Sequence, residues 1–157
     1  MLRLSKLTDY AVVVLIRLDE GQRAAGCDGV QTSPGIAAAT GVPEPTVAKV
    51  LKALSASSLV VSQRGARGGY RLLRPLDAIA IADVIAAIDG PIALTACVDG
   101  NQGGCEVQSL CAVKGRWDLV NDAIQGALSS ITLADMRDAS VPLVFRFNTH
   151  MSAPLAE

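Results

Sequence analysis

Leu7, Tyr10, Ala11, Val14, Leu15 and Leu18 recur at intervals of three and four, which predicts an amphipathic helix with one buried face. Glu20 to Gly29 holds three glycines and reads as a loop. Ser33-Pro34 then opens a short helix, with Ser33 as N-cap and Pro34 as its first residue. It runs to Thr40 and stops at Gly41, which tolerates a left-handed turn because it has no Cβ. A further helix is expected from Pro43 or Pro45 to Ser57, with Val47, Val50, Leu51 and Leu54 facing inward. Two helices joined by a short glycine-containing turn have the layout of a helix-turn-helix.

The pattern then becomes extended. Leu59-Val60-Val61-Ser62 and Tyr70-Arg71-Leu72-Leu73 are β-prone runs, and Gln63 to Gly69 between them forms a glycine-rich hairpin turn. A hairpin directly after a helix-turn-helix makes a winged helix. Ile79 to Ile88 predicts a small packing helix ending at Asp89-Gly90-Pro91. Further on, Trp117, Val120, Ile124, Ala127, Leu128 and Ile131 keep helical spacing. An apolar stripe on a lone long helix needs a partner, either a twin subunit or its own domain. The twin-subunit reading makes Trp117, Val120, Ile124, Leu128 and Ile131 the dimerisation residues. The expected fold is therefore mainly α with a small β-hairpin wing: a winged helix-turn-helix domain over residues 1–75, then a cysteine loop and long dimerisation helix over 76–137. Residues 138–157 form a tail, where Val141 and Val144 to Phe147 could add a strand.

Composition changes this picture little. Half the residues are hydrophobic but only 3% aromatic, so the core must be built from Ala, Val, Leu and Ile. The absence of an 18-residue apolar run or a signal-peptide layout at Met1 to Lys6 leads us to expect a cytoplasmic protein without a membrane segment.

Charge is more telling. The net charge of −1 conceals ten basic against five acidic residues over 1–75, and four against ten over 76–157. A basic half joined to an acidic half points to a nucleic-acid-facing module followed by something else. From Arg64 to Arg74 there are four arginines and no acid. Arginine can reach phosphate or a narrow minor groove, and glycine lets backbone approach a duplex. Thr46, Lys49 and Lys52 on the second helix of the motif, with Arg64, Arg67 and Arg71 of the wing, are the candidates for contact with a double-stranded DNA operator.

Cys97, Cys105 and Cys111 lie within fifteen residues of one another, flanking the glycine-rich run Val98 to Gly104. An odd number of cysteines at this spacing fits neither a disulfide framework nor a CxxC pair. Three soft sulfur ligands suit an iron–sulfur cluster, zinc or copper(I); reduced structural thiols are the bland reading. Cys27, seventy residues upstream, is expected to be incidental, and His150, the single histidine, lies in the tail.

Met1 to Ala11, the stretch Ser62-Gln63-Arg64-Gly65-Ala66-Arg67-Gly68-Gly69-Tyr70-Arg71-Leu72, and the three cysteines together resemble the IscR-type winged-helix iron–sulfur regulators. The opening run is most similar to the SUF-system assembly regulators of proteobacteria. The resemblance covers roughly residues 1–137. It implies a homodimeric transcription factor, a repressor of cluster-assembly genes, that holds a [2Fe-2S] or [4Fe-4S] cluster on Cys97, Cys105 and Cys111. It also makes Asp9 a metal-ligand candidate: in some nitric-oxide-sensing relatives an acid in the first helix caps the cluster from the other subunit. A helix-dipole role for Asp9 remains open beside it.

The chain also departs from the pattern. Lys114 stands where the IscR type has a ligating histidine, and Ala48 where it has a promoter-discriminating glutamate. The cysteine spacing of seven then five residues is closer to that of rhizobial iron regulators. A nitric-oxide or iron-availability sensor on the same fold and a structural zinc protein are the alternatives. With one histidine and no GxxxxGK[ST] loop, no catalytic constellation competes, and neither an enzyme activity nor a small-molecule substrate is expected.

Overall fold

The computed structural model describes residues 4–25, 29–95, 98, 112–113 and 115–138. Helix α1 spans Lys6–Ala25, α2 Ser33–Thr40 and α3 Glu44–Ala56. Strands β1 (Val60–Gln63) and β2 (Gly69–Leu72) pair antiparallel, Val60 opposite Leu72 and Gln63 opposite Gly69. A 3-10 turn at Leu76–Ala78 leads into α4 (Ile81–Asp89). After the cysteine segment come α5 (Trp117–Ser129) and α6 (Leu133–Arg137). The fold is the expected mainly helical winged helix-turn-helix, and Cys27, Cys97, Cys105, Cys111, Lys114, His150 and the tail beyond Asp138 lie outside the described residues.

The core forms around α1. Ala11, Val14, Leu15 and Leu18 are fully buried, in a cluster with Ile36 of α2 and with Val47, Val50, Leu51 and Leu54 of α3. These are the stripes that the three-and-four spacing marks. The same cluster takes in Leu59, Val60 and Leu72 from the hairpin and Ile81, Val84 and Ile85 from α4.

Three local expectations need correction. Glu20 to Ala25 is not loop: α1 continues through Gly21, because Gln31 packs directly on that glycine and its side-chain amide donates to the carbonyls of Arg17 (2.8 Å) and Leu18 (3.4 Å). A tertiary partner thus offsets the roughly 1 kcal/mol that a mid-helix glycine costs. The N-cap of α2 is Thr32 rather than Ser33; its hydroxyl accepts from the Gly35 amide at 3.2 Å, which makes Pro34 the second helical residue. The C-terminal helix is also interrupted. After α5 the chain turns, and Thr132 starts α6 with a reciprocal cap, its hydroxyl accepting from the Asp135 amide while the Asp135 carboxylate accepts from the Thr132 amide at 2.8 Å.

Helix α6 is only five residues long, too short to persist alone. It is held by fully buried Leu133, by backbone bonds from Ile81 to Ile131 and from Leu133 to Ile79, and by Arg137, which donates to Asp19 of α1 at 2.8 Å. Asp19 is itself buried, so its charge is compensated by two guanidiniums, Arg23 and Arg137. Leu133→Ala should therefore lower unfolding stability by about 2–5 kcal/mol in urea titration. A loss below about 1 kcal/mol would mean that α6 is not part of the cooperative unit.

Candidate nucleic-acid interface and cysteine loop

Burying Val47, Val50, Leu51 and Leu54 turns the opposite face of α3 to solvent. Lys49 and Lys52 are exposed there, one turn apart, with Ala48 exposed beside them and Thr46 half-buried at the flank. Glu44, in the first turn, is the one acid of the helix. In the wing, the Gly68 amide donates to the Gly65 carbonyl at 2.9 Å, so Ala66 and Arg67 form the corner of the turn. Arg64 and Arg67 are exposed, and Arg71 is half-buried on β2 opposite Val61. Ion pairs among the described residues occupy Arg17, Arg23, Arg74 and Arg137, and none involves Lys49, Lys52, Arg64, Arg67 or Arg71. Among the described residues, these five positive charges have no carboxylate partner.

The wing root carries contacts that no local pattern announces. Gln31 forms a bridge with Tyr70, its amide donating to the Tyr70 carbonyl (3.0 Å) and its carbonyl accepting from the Tyr70 amide (2.8 Å). The side-chain oxygen of Gln22 accepts from the Leu72 amide at 2.8 Å. Neither glutamine was a candidate in the sequence, because their partners lie 39 and 50 residues away.

The three cysteines lie between α4 and α5 in the sequence, and the chain leading into them is tied down at two points. Where α4 ends, the Asp89 carboxylate accepts from the hydroxyl of buried Thr8 (2.7 Å) and from the Ser5 amide (3.3 Å), pinning the end of α4 to the start of α1. Five residues on, the Leu94 amide donates to the side chain of Asn121 at 3.1 Å, the one buried residue of α5. Asp9 is exposed one residue beyond Thr8 and lines an open cleft of about 510 Å³ with Leu4, Val12, Ile81 and Met136.

The apolar stripe on α5 divides. Trp117, Leu119 and Val120 are exposed, Leu119 to 77%, whereas Ile124 lines a cleft with Ile85 and Leu94, and Leu128 and Ile131 pack on the core.

Helix-turn-helix, two-stranded wing and exposed basic face together define the winged helix-turn-helix class. The chain belongs to the Rrf2 family, whose model, described as an iron-dependent transcriptional regulator, matches residues 4–139. A Mycobacterium tuberculosis protein that carries the name HTH-type transcriptional regulator is 32% identical over 142 residues, covering 90% of this chain and 84% of the relative. The HTH-type transcriptional regulator IscR of Escherichia coli is 28% identical over 135 residues, covering 86% and 80%. Among solved structures, CymR, the global cysteine regulator of B. subtilis, superposes with a TM-score of 0.64 at 29% identity, over 87% of this chain and 97% of that one. IscR of T. potens gives 0.62 at 26%, over 98% and 94%. The relatives are transcriptional regulators, not enzymes, and the chain is a DNA-binding regulator of this family. No helix among the described residues is long and apolar enough to cross a membrane.

Asp89 gives the pinned approach a pH signature. Burial pushes its carboxyl upward, but the hydrogen bonds from Ser5 and Thr8 outweigh this and hold it below the usual carboxylate range. A depressed folded-state pKa contributes stability that is present above the unfolded value of about 4 and is lost as pH falls through the folded value. The urea midpoint of the wild type should therefore fall more steeply between about pH 5 and pH 3 than that of Asp89→Asn. Parallel profiles would remove Asp89 from the acid response.

Proposed function

We propose that the chain is a homodimeric repressor of iron–sulfur cluster assembly genes that binds operator DNA through α3 and the wing and senses cluster status at the cysteine loop. The observation that carries this reading is the pairing of five cations on one module, none in an ion pair among the described residues, with three cysteines in a segment whose approach is tied to both α1 and α5. The donor chemistry fits an iron–sulfur cluster, since three soft sulfurs in fifteen residues leave one position for a further ligand. Cys97, Cys105 and Cys111 would hold it, with Asp9 of a second copy as the candidate fourth ligand, and when bound it would supply iron that reacts with oxygen or nitric oxide.

The residues of the chain supply the rest. Thr46, Lys49 and Lys52 face the major groove, while Arg64, Arg67 and Arg71 take the flanking backbone. The exposed start of α5, around Trp117 and Val120, meets a second copy; Ile124, Leu128 and Ile131 back that contact from the domain side. A change in what Cys97, Cys105 and Cys111 hold acts on Asp89 and Asn121, and so on α1 and α5. Because half-site spacing is geometric, a small shift between two recognition helices changes affinity.

The similarity to CymR supports a second reading, in which the chain regulates cysteine-related genes and the thiols carry no cluster. A nitric-oxide or iron-availability sensor keeps the cluster but changes the signal, and a structural zinc site keeps only the ligands. Visible absorption after anaerobic reconstitution with iron and sulfide separates cluster from zinc or free thiol, because bound zinc is colourless. Cys97→Ala, Cys105→Ala and Cys111→Ala should each lose most of the absorbance, and Cys27→Ala should retain it. An unchanged spectrum for Asp9→Ala removes that carboxylate from the site. A colourless wild type points to the second reading or to zinc.

DNA contact has its own measurement. Arg64→Ala or Arg67→Ala should weaken binding to a selected operator duplex and reduce the salt slope by about one for each phosphate left without its cation. Wild-type affinity in both variants would exclude the wing from the interface.

A further inference from the structure

The wing here is a hairpin of two four-residue strands, and such a ribbon has little stability of its own. Its direction must therefore be set at the root. Two glutamines hold that root to α1. Gln31 is bonded on both sides, its backbone exchanging two hydrogen bonds with Tyr70 and its side-chain amide donating into the carbonyls of Arg17 and Leu18. Gln22, on α1 itself, accepts the Leu72 amide in the place a further strand would take.

The packing around Gln31 leaves no room for side chains. A Cβ on Gly21 would lie 2.0 Å from the Gln31 side-chain nitrogen, and a Cβ on Gly69 would lie 2.7 Å from the Gln31 carbonyl oxygen. Glycine on the helix and glycine on the strand let this one residue wedge between them. Three residues at about 3.3 Å each separate Tyr70 from Arg67, so a tilt of roughly 10° at the root moves the wing tip by about 2 Å. That displacement is enough to break a hydrogen bond to a phosphate.

We propose that Gln22 and Gln31 are positioning residues for DNA binding, setting the angle of the wing against the recognition helix rather than touching DNA themselves. The proposal rests on the reading of Arg67 as a wing contact. The probe is a duplex that the wild-type protein selects from a random-sequence pool, titrated with full-length protein across a salt series. Gln22→Met removes the acceptor at nearly constant shape and should weaken binding about tenfold. The salt slope should fall by about one, as for Arg67→Ala. Gln22→Glu keeps an acceptor and should stay within about threefold of wild type. Combined with Arg67→Ala, Gln22→Met should add nothing, because the side chain it aims is already gone.

Gly21→Ala tests Gln31 by pushing its flexible amide off α1. It should weaken DNA binding while leaving the melting temperature equal or higher, since alanine is the better helix former. It also carries the test if Gln22→Met does not fold. Additive losses in the double variant, or wild-type affinity in Gln22→Met and Gly21→Ala while Arg67→Ala is impaired, would overturn the proposal. Wild-type affinity in Arg67→Ala itself would overturn the wing reading and this proposal with it.

Discussion

Burial of one face of α1 is the constraint on which the rest of the molecule depends. Ala11, Val14, Leu15 and Leu18 have no exposed surface, and they are covered from different sides by α3, by α4 and by the root of the wing. At about 25 cal/mol per Å² of apolar surface removed from water, such a face contributes several kilocalories per mole, far more than any single polar contact here. Because the recognition helix and wing both pack on α1, their relative placement is a property of that helix. The Thr8–Asp89 bond and the two arginines on Asp19 then fix what lies at its two ends.

The basic face follows from the same burial. Once α3 commits Val47, Val50, Leu51 and Leu54 to the core, Lys49 and Lys52 have nowhere to point but outward. Three acids near the motif are engaged elsewhere, Asp19 with Arg23 and Arg137, Glu20 with Arg17, and Asp83 with Arg74, and Glu44 is the one acid on α3 itself. A surface on which cations outnumber acids in this way is suited to a polyanion, with affinity that depends on salt.

The cysteine segment joins two parts of the fold that already share a core. Its approach is pinned by Asp89 to α1 and by Leu94 to buried Asn121 in α5. The chain entering this segment therefore has two fixed connections to the rest of the structure. One leads to the helix that carries the DNA-binding module, and the other to the helix whose exposed apolar start faces outward. The chain that enters the cysteine segment and the helices of the DNA-binding module thus share packed elements.

Much of this was legible in the chain. The stripes of α1, α3 and α4, the stop at Gly41, where φ is 74°, and the hairpin between Leu59 and Leu73 follow from periodicity and turn chemistry. These are nearest-neighbour effects, visible within a few residues. The outward set Lys49, Lys52, Arg64 and Arg67 was legible for the same reason, being the complement of the buried set. What the sequence could not show depends on partners far along the chain. The helix through Gly21 exists because Gln31 sits on it, Gln22 meets Leu72 across 50 residues, and Asp19 meets Arg137 across 118. The split of the α5 stripe, Trp117 and Val120 outward and Leu128 inward, was likewise decided by where the C-terminal turn docks. Local pattern determined which elements form and which faces are apolar. Only tertiary packing decided which polar residues hold those elements at fixed angles, because a hydrogen bond between distant residues leaves no periodicity behind.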